Sequence, residues 1–570
     1  MSLQRPHFWH FARVAALFFA LLFGAFPTFA QTDSSSTGSS PTVVSSAATP
    51  APVSAMSRPT TGDPSGTQTG VMDDAANAQT TMPPEMKASI VQNGGSGFTF
   101  LAEATGQNRI AINMTWVILC GVLVMFMQAG FALVEVGFTR AKNATHTFML
   151  NFGVYFLGML GFWAVGFGLM MGNAGSITNL GGTAALAQGA AVGIPNFGTL
   201  FATKGFFLSG DSYDIGVYAL FMFQMVFMDT MVTIPTGAMA ERFKYGAFIV
   251  YCFFGSMLLY PIFGHWAWGG GWLSQLGNNF GLGAGYIDFA GSGVVHMVGG
   301  FCGLAGAMVL GPRIGKFSRE GIPSAIPGHN VPFALLGALI LGFGWFGFNA
   351  GSTLGVAGAG NLRVAVIATN TMLASAAGGA VALALMYLWT RKPDPTMVAN
   401  GFLAGMVSIT AACAFVSAPI AVLIGAIGGV IVCYGVQLVD KIFVDDPCGA
   451  VSVHGFAGFW GVLAVGIFAD GTFGAGYNGT LVNGTGVEVR GLLMGGGFGQ
   501  LGAQLIGGLV AIAWAFGLSL LFFKVLDGIM GIRSAPEDEI GGLDIPEMGI
   551  LAYPTFPTET EMELSAAYYD

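Results

Sequence analysis

Residues 288–303 read DFAGSGVVHMVGGFCG, and residues 446–461, which lie 158 positions later, read DPCGAVSVHGFAGFWG. The two stretches align without a gap and share the pattern D-x-x-G-x-x-x-V-H-x-x-x-G-F-x-G. Each copy places one histidine, His296 or His454, eight residues after its first aspartate. A gapless repeat of this length predicts two copies of one structural unit.

The composition of the whole chain is that of a membrane protein. Of the 570 residues, 54% are hydrophobic and 9% are charged, whereas a soluble domain carries about 25% charged residues. The 89 glycines would let helices approach one another closely. The net charge of −9, without a basic run, argues against nucleic-acid binding. The six cysteines lie in or beside apolar stretches, which is typical of buried thiols and not of a disulfide framework.

Long apolar runs between short polar breaks predict an all-α polytopic membrane protein. A spanning helix needs about 20 mainly apolar residues, and eleven such runs follow one another. The two repeat copies open the fifth and tenth runs, so five crossings separate them and they run in opposite directions. This pattern predicts an inverted five-helix repeat (spans 1–5 and 6–10) and a long eleventh helix, with the site near the midplane between the repeats. The predicted spans are 113–139, 148–171, 213–239, 247–270, 290–311, 331–350, 365–390, 398–416, 418–439, 450–470 and 496–530.

The distribution of lysine and arginine predicts the orientation of the chain. With the first span starting outside, the inward ends carry twelve of these residues and the outward loops carry three. We expect a multi-pass protein of the cell (inner) membrane, with its amino terminus outside and its carboxyl terminus in the cytoplasm.

Four segments follow from these patterns. Residues 1–30 resemble a secretory signal peptide, and an uncleaved first helix is the alternative. Residues 31–110 form an extracytoplasmic low-complexity segment, which we expect to be disordered because it has little to bury. Residues 111–532 form the membrane domain, and residues 533–570 form a cytoplasmic tail.

The two histidines of the repeat are the first candidate site. Eight residues of helix place each ring roughly 12 Å into the membrane, near the midplane of a ~30 Å core. A polar side chain there indicates function, and two neutral histidines can hydrogen-bond to each other and pass a proton. A metal site would need a third ligand, and no cysteine or carboxylate stands at a suitable spacing.

Over residues 113–555 the chain resembles the ammonium transporter family (Amt/MEP/Rh), and within it the Amt branch. The order and spacing of several long motifs carry this resemblance. They are FQMVF at 223–227, GAMAER at 237–242, HWAWGGG at 265–271, GWFGFNAGS at 344–352, and the two repeat copies.

The resemblance implies a role for each of seven residues. Trp268 and Ser352 match the family's outer recruitment site for ammonium, where an indole face would attract the cation. Asp288 matches the acidic residue that supports this site. The remaining matches are the stacked gate pair, Phe227 and Phe348, and the twin-histidine pair in the pore, His296 and His454.

The resemblance further implies a transport mechanism and a set of partners. Ammonium would lose its proton near the gate, ammonia would cross the apolar lumen, and the proton would pass through the histidine pair, giving net electrogenic uptake. The implied partners are ammonium or ammonia, methylammonium as an analogue, the lipid bilayer, two further copies in a homotrimer, and a PII-type regulatory protein at the cytoplasmic face. No cofactor is implied.

Three other functions compete with electrogenic transport. A sensor of the same fold would signal occupancy to a partner, although the residues after Arg533 are too few for an output domain. A Rh-like neutral gas channel would not need the cation site of Trp268 and Ser352. An enzyme is not expected, because no nucleophile and base stand together.

Two acids, Asp229 and Glu135, lie inside predicted spans and leave the ion path and selectivity open.

Overall fold

The structure is a computed structural model that describes residues 96–174, 177–181, 186 and 191–554. Within these residues the chain is mainly helical, and the predicted fold of eleven membrane helices with an inverted five-helix repeat is confirmed. The helices are α1 Ser96–Phe138, α2 Ala141–Met171, α3 Ile215–Met239, α4 Tyr245–Ala267, α5 Ser292–Leu310, α6 Val331–Ala350, α7 Asn361–Thr390, α8 Pro395–Thr410, α9 Ala418–Lys441, α10 Val451–Phe468 and α11 Phe498–Met530. The side that carries Trp268 is called outer below, following the charge-based prediction.

The eighth helix is shorter than predicted. Within the described residues, ten helices are long and apolar enough to span a membrane, whereas α8 has 16 residues and ends at Thr410. The prediction of a span over 398–416 is wrong at its end, because residues 411–416 form buried turns. Their carbonyl groups accept hydrogen bonds from Asn370 and Arg363. Non-helical backbone is tolerated at this depth when protein groups satisfy it in this way.

The first helix is longer than predicted. It begins at Ser96, so residues 96–110 are helical although the sequence predicted disorder up to residue 110. At 1.5 Å per residue the helix is roughly 65 Å long, about twice the thickness of the hydrocarbon core. Once the apolar span has formed a helix, adding further turns costs little. The predicted signal peptide, residues 1–30, and most of the predicted low-complexity segment lie outside the described residues.

The two repeat helices, α5 and α10, cross through glycine contacts. A Cβ atom on Gly300 would overlap the backbone of Gly455, and one on Gly458 would come 2.6 Å from the carbonyl oxygen of Ser292. Gly300 and Gly458 occupy the same position of the repeat pattern. The repeated glycines therefore allow the backbones to approach closely, as small residues do in membrane bundles, and bring the two histidines to the crossing point.

Two short hairpins cover the outer side. Strand β1, Ala191–Ile194, pairs antiparallel with β2, Gly198–Ala202, and the Trp272 backbone N–H donates to the carbonyl of Thr199 in β2. Strands β3, Leu481–Val482, and β4, Thr485–Gly486, form the second hairpin. Both hairpins lie in the long outer connections, where they hold the loops around the mouth of the bundle.

The carboxyl-terminal tail folds against the inner loops of its own chain. After α11 it forms a short helix, α12, Pro536–Gly541. Glu539 in α12 pairs with Arg533 at 2.8 Å and accepts a hydrogen bond from the Ile314 backbone N–H at 2.7 Å. Asp544 accepts from the backbone N–H of His146 at the start of α2. The tail is therefore tied to two inner segments by carboxylates that accept backbone hydrogen bonds.

Candidate functional site

The aspartate of each repeat copy caps the helix that carries the histidine. The Asp288 carboxylate accepts hydrogen bonds from three backbone N–H groups at the start of α5, at 2.8–3.0 Å. The Asp446 carboxylate accepts from two at the start of α10, at 2.8 and 3.0 Å. A helix start leaves N–H groups without partners, and inside a membrane these must be satisfied by protein. The aspartates therefore fix where each histidine helix begins.

The first turns of both helices are π-helical. Residues Ser292–Met297 contain His296, and Val451–Phe456 contain His454. Each turn follows a glycine with positive φ, Gly291 at 111° and Gly449 at 73°, a conformation that glycine adopts without strain. π-Helical turns are rare and occur frequently at functional sites. The shared D-x-x-G-x-x-x-V-H pattern thus encodes a cap, a glycine turn and a widened helical turn ending near a histidine.

The two histidines face each other in the bundle interior. The Nδ1 atoms of His296 and His454 lie 3.1 Å apart, so one ring donates and the other accepts. Nε2 of His296 is buried and has no hydrogen-bond partner in the described part of the chain. One face of the His296 ring stacks against Phe348, with ring centroids 5.4 Å apart. The described residues contain no cluster of three or more side chains suited to hold a metal ion.

A pair of stacked phenylalanines lies on the outer side of the histidines. Phe227 of α3 and Phe348 of α6 have ring centroids 4.1 Å apart at an interplanar angle of 23°. Both rings are fully buried, with exposed fractions of 1% and 0%. Phe348 belongs to another π-helical turn, Phe346–Ala350. Because the stacked rings contact His296 on one side and Trp268 on the other, they separate the interior from the outer cavity.

A cavity of about 330 Å³ opens on the outer side of the phenylalanine pair. Trp268 and Ser352, the two predicted recruitment residues, both border it, as does Phe227. The Ser352 hydroxyl donates to the carbonyl of Phe348 at 2.8 Å, which leaves the lone pairs of its oxygen free to accept. The cavity is large enough for a small cation with water, and it ends at the closed ring pair.

Asp288 reaches this cavity only through Trp268. The indole Nε1 donates to the Asp288 backbone carbonyl at 2.7 Å, while the carboxylate turns inward to cap α5. A Cβ atom on Gly291 would lie 3.2 Å from the indole ring. The aspartate and the glycine of the repeat thus hold the tryptophan in place. The supporting role that the resemblance implies for Asp288 stays a prediction.

The structure adds Gln224, which the sequence did not single out. It borders the outer cavity, and its buried Oε1 atom has no hydrogen-bond partner in the described part of the chain. An unpaired buried carbonyl oxygen is costly and can accept an N–H bond from a bound cation. The only available signal was its place in the FQMVF motif, three residues before Phe227.

The two membrane acids lie in different places. Asp229 of α3 is buried and interacts electrostatically with Tyr155 of α2 and Cys252 of α4, and it borders neither cavity described here. Glu135 of α1 borders a second cavity on the inner side, which His454 also borders. One acid therefore borders neither cavity, and the other shares the inner cavity with His454.

The fold and the site define a polytopic membrane protein in which a stacked ring pair closes the outer cavity above two facing histidines. A family model described as the Ammonium Transporter Family matches residues 115–553. The chain belongs to this family and to its Amt branch.

Individual proteins agree with this assignment. "Ammonium transporter Amt2" from Archaeoglobus fulgidus is 47% identical over 468 residues, which cover 81% of this chain and 93% of that protein. A solved chain described as "Sensor Amt Protein" is 35% identical, with a TM-score of 0.65 over 77% of this chain and 98% of its own length. The crystal structure of Candida albicans Mep2 is 27% identical, with a TM-score of 0.61 over 75% of this chain and 87% of its own.

Proposed function

We propose that this protein is an electrogenic ammonium transporter. One observation carries the proposal, namely an unbroken line of ring contacts from the outer cavity to the histidine pair. Trp268 contacts Phe227 with centroids 6.1 Å apart, Phe227 stacks on Phe348, and Phe348 stacks on His296. The line joins a site suited to a cation to a pair suited to a proton, with an apolar gate between them.

The outer cavity can select ammonium over potassium. The Trp268 ring offers a π face to a cation, an attraction of about 0.5–2 kcal/mol depending on desolvation. Ser352 and Gln224 offer oxygen atoms that can accept N–H bonds. Potassium carries the same charge and no N–H donors, so these oxygens give ammonium the advantage of directed hydrogen bonds.

The closed gate favours separate passage of proton and ammonia. Moving an unpaired cation into an apolar interior costs several kcal/mol, whereas a neutral molecule crosses at lower cost. In this proposal ammonium loses its proton beside the gate, ammonia follows the apolar interior, and the proton passes through His296 and His454. One charge therefore crosses with each ammonium.

Current measurement on a solid-supported membrane tests the proposal. Proteoliposomes carrying the full chain should give a transient inward current after a pulse of ammonium, a smaller one after methylammonium, and none after an equal pulse of potassium. A neutral gas channel or a sensor without transport would give no ammonium current, and that result would overturn the proposal. Liposomes without protein are the control for current that comes from the buffer exchange.

We also infer that the tail regulates transport. Its carboxylates accept hydrogen bonds from the backbone N–H groups of Ile314 and His146 at 2.7 and 2.9 Å, which joins the tail to the inner ends of α5 and α2.

A homotrimer and a PII-type partner at this face remain predictions. Light scattering of the purified protein would test the first, and binding of a PII-type protein to the full chain and to a chain ending at Gly531 would test the second.

A further inference from the structure

Glu135 is a carboxyl group in the membrane without a cationic partner among the described residues. It lies in α1, three residues before the helix ends at Phe138, and its side chain is 3% exposed. Asn151 of α2 donates to its Oε2 atom at 2.7 Å, and Thr236 of α3 lies 2.9 Å from both carboxylate oxygens. Neutral donors thus hold the carboxylate in a fixed position near the inner end of the bundle.

The cavity beside Glu135 leads to the histidine pair. It is a narrow space of about 20 Å³ bordered by Glu135 and His454, with Phe131, Val134, Leu403 and Val453 among its walls. A space of about 10–15 Å³ is enough for one water molecule if polar groups can bind it. Glu135, His454 and Asn400 supply such groups. The other wall residues are mainly apolar, so a proton path through this cavity is confined to these three polar groups.

We propose that Glu135 is the proton acceptor on the inner side of the histidine pair. It takes the proton that leaves His454, through one water in the shared cavity, and releases it to the cytoplasm. This inference rests on the proposed electrogenic transport. It assigns to the proton an exit that is separate from the path of ammonia.

The transfer balances with these groups alone. A proton that binds Nε2 of His296 releases the Nδ1 proton to Nδ1 of His454, across the 3.1 Å contact. His454 then gives its Nε2 proton to the water, and the water gives a proton to the Glu135 carboxylate, which becomes a neutral acid. The acid loses that proton to water at the inner helix end. Both rings must then exchange tautomers before the next cycle.

Other titratable groups surround Glu135. Cys448 and His454 border the same cavity, and Asp446, just before α10, and Tyr251 of α4 interact with Glu135 electrostatically. Asp446 already accepts two backbone hydrogen bonds as a helix cap, and the Tyr251 hydroxyl donates to the Val232 carbonyl. Glu135 is therefore the carboxylate in this group that borders a cavity and does not cap a helix.

Three variants of the full chain test this assignment. Glu135→Gln keeps the size and the accepting oxygen of the side chain but cannot take up a proton, and Glu135→Asp keeps the acid. The matched control is Asp229→Asn, which neutralises another buried acid of a membrane helix that borders neither cavity. All are measured by ammonium-evoked current in proteoliposomes with the outer side outward, and their folding is checked by thermal unfolding in detergent.

The expected results separate a proton relay from a structural role. Glu135→Gln should lower the current by about tenfold or more, since a positioned acid or base contributes about 100-fold to proton transfer. Its half-saturating ammonium concentration should stay unchanged. The wild-type current should fall as the luminal pH drops from about 8 to about 5, because a protonated Glu135 accepts no proton. This dependence should be lost in Glu135→Gln and retained in Glu135→Asp with a shifted midpoint.

Two outcomes would overturn the assignment while leaving transport intact. One is a folded Glu135→Gln protein with wild-type current and wild-type dependence on luminal pH. The other, which decides if Glu135→Gln does not fold, is a Glu135→Asp protein whose pH profile equals that of the wild type. Absence of current in the wild-type protein would instead overturn the proposed electrogenic transport and the relay together.

Discussion

The two copies of the repeat fold alike, yet they border different cavities. The first copy, from Asp288 to His296, lies below the outer cavity of about 330 Å³. The second copy, from Asp446 to His454, lies beside the inner cavity of about 20 Å³. The cap, the glycine with positive φ and the π-helical turn are common to both. The repeat therefore supplies a scaffold for the histidines, and residues outside the repeat give each side its chemistry.

The neighbours of the two caps show how this difference arises. On the outer side, the Asp288 carbonyl binds the indole of Trp268 at 2.7 Å. On the inner side, the residue before the cap, Asp445, pairs with Arg313 at 2.8 Å. Burial alone would raise the pKa of Asp445, but the Arg313 hydrogen bonds and the charge of Arg242 outweigh it and hold the pKa at about 2. One copy thus positions Trp268 at the outer cavity, and the other lies beside a charged network at the inner loops.

The largest effect should come from breaking the contact between the copies. His296→Ala and His454→Ala should each lower the ammonium-evoked current by about 100-fold, because each removes a positioned acid–base group from the proposed proton path. The double variant should be no worse than either single one, since the two rings act as one unit. The readout is current on a solid-supported membrane, with thermal unfolding as the folding control. Undiminished current in both single variants would show that no shared proton path exists.

A smaller effect should follow from replacing Trp268 at the outer cavity. Trp268→Leu should raise the half-saturating ammonium concentration by about tenfold, which corresponds to a cation–π attraction of about 1–2 kcal/mol. Potassium should then compete more strongly. Trp389→Leu is the matched control, because Trp389 lies at the inner end of α7 and packs on Tyr434. Identical current–concentration curves for Trp268→Leu and the wild type would remove Trp268 from the recruitment site.

The smallest effect should distinguish the two caps. Asp288→Asn and Asp446→Asn should each destabilise the purified protein by about 1–2 kcal/mol, because asparagine keeps one accepting oxygen of the cap and replaces the other with an amide group that cannot accept a backbone hydrogen bond. Asp288→Asn should lower the free energy of unfolding more than Asp446→Asn, because the Asp288 carboxylate accepts three backbone hydrogen bonds and that of Asp446 accepts two. Asp288→Asn should also weaken ammonium binding through Trp268, and Asp446→Asn should not. Equal shifts in both stability and affinity would mean that the caps serve the two sides alike.

The sequence determined most of the fold. The spacing of apolar runs located eleven helices, and the gapless repeat located α5 and α10 and implied their opposite directions, because hydropathy and periodicity are local properties. The predicted helix bounds were wrong where side chains distant in sequence determine the backbone conformation. Residues 411–416 leave the helix because Asn370 and Arg363 satisfy their carbonyl groups. Hydropathy does not contain that information, since these residues are as apolar as their helical neighbours.

The site shows the same division. The sequence alone brought His296 and His454 to similar depths, since each lies eight residues after an aspartate in an identical pattern. Only the tertiary structure set their Nδ1 atoms 3.1 Å apart, placed Gln224 at the outer cavity, and brought Glu135 and His454 to the same inner cavity. These relations join α1, α3, α5 and α10, and they depend on how closely the helices cross. That distance is fixed by glycine contacts between chain segments more than 100 residues apart, such as Gly300 with Gly455, which local pattern does not specify.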